Sequence, residues 1–336
     1  MSNDYNYSKI YILYTVCTIG MGYDDSKGLI PIKGKLTKLI ENLKIKDNLN
    51  IDYKIERTSP LIDSSNLNTS NWKSILEKLY ENYNKYDSFI IIHGTDTLAY
   101  TASALSFFLK DWNKTVIVTG SQIPLFEFRS DAKVNLLDSI TVSLHKIPEV
   151  LVVFGRQVIR GNRSTKISST NFRAYDSPNF PTLGNIDVNI KLKNYLFDIE
   201  KQNKSILPYK LPSIPSNWNL TKWNNKEIKI YELRLLPIDN SIPLKNLIDL
   251  KPNAIILQTY GIGNAPVGNE KFMKQLKLAI NKNILVVNIT QCPKGGVNMD
   301  YYNTGKLLKK IGVVGGLDMT FECVFGKLLF LFQVIG

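Results

Sequence analysis

Strand-like apolar runs that alternate with helix-period segments are what most constrain the fold of this chain. "KIYILY" (Lys9–Tyr14) reads as a buried strand, and in "KLTKLIENL" after it Leu36, Leu39, Ile40 and Leu43 recur at helical spacing. Trp72, Ile75, Leu76, Leu79 and Tyr83 mark a second amphipathic helix, with Thr69 and Ser70 as polar cap candidates. The strand "SFIIIH", a helix from about Thr97 to Leu109, the strand "TVIVTG", a helix through Val134 to Leu144 and the strand "EVLVVFG" continue the rhythm. Such alternation predicts an α/β fold, a parallel sheet with helices on both faces.

The segment "SILPYKLPSIPSNWNLTKWNNKE" interrupts the pattern with prolines and polar residues. After it, "IYELRLLP", "AIILQT" and "ILVVNIT" read as strands, and "EKFMKQLKLAI" and "FECVFGKLLFLF" as helices. The expected layout is a larger N-terminal parallel-sheet domain over 1–205, a linker over 206–227 and a smaller C-terminal α/β domain over 228–336. A length of 336 residues suits two domains.

Composition narrows the function. The net charge of +13 raises nucleic acid as a partner, but only seven of the 42 basic residues are arginine and the lysines are scattered along the chain, as in "KLIENLKIKDNLN". A solvated surface is the expected reading, with no nucleic-acid partner. The N-terminal stretch "MSNDYNYSKIYILYTV" has no basic leader, and its apolar run is too short for a signal peptide or a membrane span. Cys17, Cys292 and Cys323 are scattered thiols without a CxxC pair, which fits a reducing compartment. A cytoplasmic protein with no membrane partner is therefore expected. His93 and His145 are the only histidines and form no ligand-spaced cluster, so no metal is expected. Neither a P-loop nor a GxGxxG motif supports a nucleotide.

In parallel sheets ligands gather beyond the carboxyl ends of strands. The residues that follow the strands are Thr15 and Thr18, "HGTDT" (His93–Thr97), "TGSQ" (Thr119–Gln122) and "GRQVIRGNRSTK", which ends at Lys166. A helix beginning just after Thr18 or Thr95 would aim backbone N–H groups at the same crevice. A lone threonine near a turn is ordinarily structural, because it needs a base to become a nucleophile. An aspartate beside a threonine, with a lysine from another strand, supplies one: the carboxylate holds the ammonium and a desolvated lysine works as a base. Thr95, Asp96 and Lys166 thus form a candidate small-molecule hydrolase or binding site. Cys17 reads as a reactive thiol or as a buried inert one, and His93 as a satisfied core histidine. Arg129 and Asp131 in "FRSD" read as a structural ion pair or as substrate contacts, and the lysines of "LLKKIG" as solvated.

From about Lys9 onward the chain resembles the L-asparaginases, specifically their cytoplasmic type I branch. The resemblance rests on seven motifs in order: "YTVCTIGM", "HGTDTLAYTASAL", "VTGSQIPLFEFRSDAKVNLL", "RGNRSTKISSTNFRAYDSPNFP", "YGIGNAP", "NITQCPKGGVNMDYYNTG" and "GGLDMT". It implies a two-domain α/β homodimer or homotetramer that hydrolyses L-asparagine to L-aspartate and ammonia without metal or cofactor. Matched residue by residue, it makes Thr18 the nucleophile and gives Thr95, Asp96 and Lys166 the proton-transfer roles. Ser64 and Ser65 in "LIDSSN" and Ser121 in "TGSQ" match substrate-binding positions, together with Thr95 and Asp96. On this resemblance Asp96 faces the substrate's α-ammonium and Ser64 its α-carboxylate. Thr165 and Cys292 match parts of an allosteric asparagine site.

The chain departs from the family pattern at three places. Val16 and Cys17 stand where the family has glycines; a positive φ there would cost on the order of 1–2 kcal/mol per residue. Leu29 replaces a tyrosine that helps activate the nucleophile, Tyr23 six residues earlier reads as a loop tyrosine with no such role in preference to a substitute, and Gln258 replaces an arginine of the allosteric site. Two alternatives follow: an asparaginase-like amino-acid-binding protein with impaired catalysis, or an amidotransferase subunit.

Overall fold

The structure is a computed structural model that describes residues 7–16, 18–24, 26, 28–31, 35–43, 45–59, 63–193, 223 and 227–334. Cys17 and most of the expected linker lie outside the described residues. The chain divides into two compact units, Met1–Ser177 with Pro181–Thr221, and Pro178–Phe180 with Lys222–Gly336.

The strands of the first unit are β1 (Ser8–Val16), β2 (Met21–Asp24), β3 (Gly28–Pro31), β4 (Ile51–Arg57), β5 (Ser88–His93), β6 (Thr115–Thr119), β7 (Val150–Phe154), β8 (Gln157–Arg160), β9 (Thr165–Lys166), β10 (Tyr175–Asp176), β11 (Gly184–Ile186) and β12 (Ile190–Leu192). Its helices are α1 (Lys35–Asn42), α2 (Ile45–Asn48), α3 (Thr69–Asn82), α4 (Leu98–Phe108) and α5 (Ala132–Ser143). An eight-stranded sheet runs β12-β11-β8-β7-β6-β5-β1-β4. From β4 to β7 neighbouring strands are parallel, while β8, β11 and β12 continue the other edge antiparallel. Every residue of β5, β6 and β7 is buried, as strands covered on both faces require, which is why they read as unbroken apolar runs.

The expected helices are present, with two local corrections. Helix α3 buries Trp72, Ile75, Leu76 and Leu79, but its cap is Asn68, one residue before the expected Thr69. The Asn68 side chain accepts from the Ser70 and Asn71 N–H groups while the Asn71 side chain accepts from the Asn68 N–H, a reciprocal capping box. No helix starts just after Thr18. A single 3-10 turn, Thr18–Gly20, leads into the antiparallel β2–β3 hairpin, and α1 begins only at Lys35.

The second unit repeats the parallel plan on a smaller scale. Strands β13 (Ile230–Arg234), β14 (Ala254–Thr259), β15 (Leu285–Thr290) and β16 (Val314–Gly315) lie side by side in chain order, with α6 (Ser241–Asp249), α7 (Glu270–Asn281), α8 (Asn303–Lys310) and α9 (Phe321–Val334). Alternate residues of β14 serve opposite faces. Ile255 and Leu257 pack with Leu244, Phe272, Leu276 and Leu308 of α6 to α8, whereas Ala254 and Ile256 pack with Val324 and Leu328 of α9. Asn179, carried into this unit by Pro178–Phe180, accepts from the Gly295 N–H at 2.7 Å and donates to the Asp318 carbonyl at 2.9 Å. The lysines of "LLKKIG" behave as expected: Lys309 and Lys310 are exposed, Lys309 pairing with Asp300 at 2.8 Å.

Asparagine and aspartate side chains fix the loops beyond β6 and β7. Asn135 of α5 donates to the Gly120 carbonyl and to Asp131 Oδ2, each at 3.0 Å, and accepts from the Gly155 N–H at 3.0 Å. The buried Asp131 carboxylate also accepts from the Gln122 and Ile123 N–H groups at 3.1 Å. Among the described residues Arg129 makes no ion pair with Asp131, so that expectation fails; the carboxylate is occupied by backbone N–H groups instead. Gly120 must be glycine, because a Cβ there would collide with the His93 carbonyl oxygen. Truncating Asn135 strands a buried carbonyl and a half-buried N–H. Asn135→Ala is expected to cost roughly 2–4 kcal/mol and to lower the thermal midpoint by roughly 5–10 °C. A midpoint within about one degree of the wild type in a calorimetric scan would show the clamp to be dispensable.

Candidate active site

The parallel sheet reverses its order of winding between β1 and β5. From β1 the chain goes to β4 on one side, and from β5 it goes to β6 on the other, so the crevice beyond these two carboxyl ends is the topological switch point. Thr15 Oγ1 donates to the Ile92 carbonyl at 3.1 Å and Thr58 Oγ1 donates to the Thr15 carbonyl at 2.8 Å, stapling β1 to its neighbours. Thr15 is thereby a structural threonine. An irregularity between Tyr14 and Val16 resets the ladder so that Val16 pairs with His93. Thr18 and Thr95 each follow that pair by two residues in the chain, Thr18 opening the 3-10 turn after β1 and Thr95 the turn after β5. Val16 is an extended strand residue, a conformation that suits a β-branched side chain, so the strain that a positive φ would bring does not arise there. The turn that Thr18 opens is held by the Leu125 N–H, which donates to the Ile19 carbonyl at 3.0 Å.

Lys166 reaches the same crevice from β9. Its Nζ lies 2.9 Å from Thr95 Oγ1 and 3.1 Å from Asp96 Oδ1, which brings three of the expected residues into one cluster. Thr95 is buried, whereas the Asp96 side chain is 65% exposed, so the ion pair adds little to stability and leaves carboxylate surface open to a second cation. The buried Tyr175 of β10 donates its hydroxyl to the Thr95 carbonyl. Thr97 Oγ1 donates to the Ser64 carbonyl at 2.8 Å, tying the 3-10 turn Ser64–Asn66 to the Thr95 loop. Ser64 is buried; Ser65 is exposed, and its hydroxyl donates to Asp63 at 2.9 Å. Ser121 is fully buried, and its hydroxyl has no hydrogen-bond partner among the described residues.

Other expected residues stand elsewhere. Thr165 pairs with Asp176 in the β9–β10 ladder of the first unit, whereas Cys292 is exposed in the second, its N–H donating to Thr290 Oγ1 at 3.0 Å. Gln258 donates to Glu232 at 2.7 Å across the β13–β14 pair. Tyr23 and Leu29 are direct partners in the β2–β3 ladder. Among the described residues no three His, Cys, Asp or Glu side chains gather as a metal site, and no helix is long and apolar enough to cross a membrane. Tyr175 and Thr97 escape sequence reasoning because each acts through a carbonyl far along the chain. Their only signal is that they lie inside the motifs "RGNRSTKISSTNFRAYDSPNFP" and "HGTDTLAYTASAL".

A two-domain α/β protein with a hydroxyl–ammonium–carboxylate cluster beyond its parallel strands is the class so defined. Sequence profiles agree on which one: "Asparaginase, N-terminal" matches residues 9–196 and "Glutaminase/Asparaginase C-terminal domain" matches residues 229–334. The chain belongs to the asparaginase family, a family of amidohydrolases. L-asparaginase 1 of Escherichia coli (strain K12) is 39% identical over 324 residues, covering 96% of this chain and 91% of that protein. The crystal structure of L-asparaginase I from Vibrio cholerae superposes with a TM-score of 0.82 at 37% identity, over 97% of this chain and 93% of that one. The L-asparaginase of Thermococcus kodakarensis shares the fold, with a TM-score of 0.80 at 24% identity over 97% and 93% of the two chains.

Behind the Thr95 loop lies a buried polar chain. Trp72 Nε1 donates to Thr101 Oγ1 at 2.8 Å, Thr101 Oγ1 lies 2.9 Å from His93 Nε2, and His93 Nδ1 lies 2.8 Å from the Gly94 carbonyl. The arrangement satisfies a neutral imidazole protonated on Nδ1, with Thr101 donating to Nε2. His93 is thus the satisfied core histidine expected, and burial pushes its pKa down to about 4. An unfolded histidine takes up a proton near pH 6.5, so His93 contributes stability that is complete above that pH and lost as pH falls toward 4, on the order of 3 kcal/mol. Asp138, raised to about 6 by burial, opposes it in the same window, and His145, lowered by burial, acts with it. The comparison with His93→Gln isolates the term. The wild type is expected to lose more thermal stability than the variant between pH 7 and pH 5; parallel pH curves would contradict the buried neutral histidine.

Proposed function

We propose that the chain hydrolyses L-asparagine to L-aspartate and ammonia through a threonine nucleophile and an acyl-enzyme. The contact of Lys166 with both Thr95 and Asp96 at the switch point is the observation that carries this reading, and membership of the asparaginase family supports it. Thr18 Oγ attacks the side-chain amide carbon, and its proton passes through Thr95 to Lys166, which takes it up as the neutral amine and becomes the ammonium that pairs with Asp96. Backbone N–H groups stabilise the oxyanion, the C–N bond breaks, and the departing nitrogen takes a proton to leave as ammonia. Water then adds to the ester, releases aspartate and returns a proton to Thr18. The exposed Asp96 carboxylate receives the substrate's α-ammonium, Ser64 with Ser65 its α-carboxylate, and Ser121 the amide being cleaved. Tyr23, the ladder partner of Leu29, carries the one side-chain hydroxyl of β2–β3.

The same reading carries further proposals: domain bounds of 1–205 and 228–336, a homodimer or homotetramer, a cytoplasmic site of action in keeping with free thiols at Cys292 and Cys323, and an allosteric role for Thr165 and Cys292. Light scattering on the purified chain checks the assembly, and the shape of the asparagine saturation curve checks the allostery. The comparisons favour neither the binding protein nor the amidotransferase subunit.

The purified chain is expected to release ammonia from L-asparagine in a coupled assay, with Thr18→Ala and Thr95→Ala each lowering kcat by roughly 10³-fold or more. A wild-type chain that binds asparagine without ever turning it over would sink the enzyme reading.

A further inference from the structure

We propose that Tyr175 is a positioning residue that holds Thr95 and Lys166 in one rigid unit, an inference that rests on the function proposed above. Two attachments of this residue converge on the pair. Its hydroxyl donates to the Thr95 carbonyl, 80 positions away in the chain, and its backbone is the antiparallel ladder partner of Lys166. The Lys166–Thr95 contact at 2.9 Å joins residues 71 positions apart, and Tyr175 grips both of its ends. The residue is 1% exposed, and its ring packs edge-on against Phe154 at the end of β7, with centroids 5.0 Å apart. The Ile167 and Ser168 N–H groups donate to the Ala174 carbonyl at 2.8 and 3.2 Å and lock the short ladder from its open side.

The bond to the Thr95 carbonyl acts on more than that oxygen. In a planar trans peptide the carbonyl and the following N–H point in opposite directions, so fixing the Thr95 carbonyl toward Tyr175 turns the Asp96 N–H away from it. Among the described residues no acceptor takes that N–H. Removing the phenolic hydroxyl frees this peptide plane to rotate and loosens the Lys166–Thr95 geometry while leaving the ring in place. Displacement of reacting groups by about 1 Å costs on the order of 100-fold in rate, and a loosened pair loses part of that. Ground-state binding through Ser64 is untouched, because Thr97 holds it separately.

Tyr175→Phe in the full-length chain is expected to lower kcat for ammonia release roughly tenfold with KM changed less than about twofold. It is also expected to change, several-fold at fixed pH, the rate at which an amine-acylating reagent modifies Lys166, followed by peptide mass spectrometry. Wild-type kcat with an unchanged Lys166 rate overturns the proposal. A loss of activity that tracks only a lower melting temperature, with the Lys166 rate unchanged, overturns it as well. If wild-type protein releases no ammonia, the functional reading fails, and the labelling rates alone decide the role of Tyr175. Should Tyr175→Phe not fold, 3,5-difluorotyrosine at position 175 replaces it, since it keeps the ring and ionises at lower pH. A decline of kcat, or a change in Lys166 labelling, at alkaline pH that the wild type lacks is then expected, and its absence overturns the proposal.

Discussion

The pairing of β1 with β5 is the constraint on which the rest of the first domain depends. The chain leaves these strands in opposite directions across the sheet, so their carboxyl ends open a crevice that no crossover helix fills. The ladder irregularity at Tyr14–Val16 and the Thr15 hydroxyl on the Ile92 carbonyl set how far each strand extends before it turns. A one-residue slip there would shift where β1 ends, and its turn at Thr18 begins, against the end of β5, and would reverse the sides on which the β1 side chains lie. The apolar residues Ile10, Tyr11, Ile12 and Leu13, all fully buried, oppose such a slip because each would have to exchange one packed face for another. Hydrophobic register therefore fixes polar geometry at the strand end.

Two buried polar networks stand behind the crevice, and the carboxylate in front of them is left largely open. The chain Trp72–Thr101–His93–Gly94 and the clamp of Asn135 and Asp131 occupy their hydrogen-bonding groups with buried partners, which gives the loops little freedom. In front, the Asp96 carboxylate is largely exposed. That contrast is what a site prepared for a small polar molecule requires: donors and acceptors held still, with capacity unused.

Much of this was legible in the residues, for reasons that also mark the limits. Strands β5, β6 and β7 are unbroken apolar runs, and a strand buried on both faces has no other way to appear. Strands β8, β11 and β12 are three or four residues each, antiparallel and half polar, so period alone cannot separate them from loop. The helix expected after Thr18 is a hairpin, since a strand that ends in Thr-Ile-Gly leads as readily into a turn as into a helix. Thr95, Asp96 and Lys166 could be grouped as polar residues that follow strands, but their contact and their separate roles could not be read there, because spacing says nothing about contacts between residues 70 and 71 positions apart. Of the two readings of Arg129 and Asp131, the ion pair fails for a related reason: a carboxylate two residues from an arginine invites such a pair, and only the folded loop reveals two backbone N–H groups closer at hand.

The position of Lys166 poses a mechanical difficulty that local pairing does not solve. It sits on a ladder of two residue pairs, Tyr175 with Lys166 and Asp176 with Thr165, and so short a ribbon has little stability of its own. Its geometry has to be imposed from outside. Phe154 supports the Tyr175 ring, and Gly155, at φ 55°, lets the β7–β8 turn approach so closely that a Cβ there would press on the Phe172 carbonyl and the Arg173 backbone. Asn135 holds that same Gly155 by its N–H, and through Gly120 it holds the end of β6 beside Ser121. The lysine, the threonine it touches and the buried serine are thus connected through α5 and the ends of β6 and β7 rather than through the ribbon that carries the lysine. An ammonium on a flexible stem becomes a fixed point of the site because the sheet, not its own strand, sets where that stem begins.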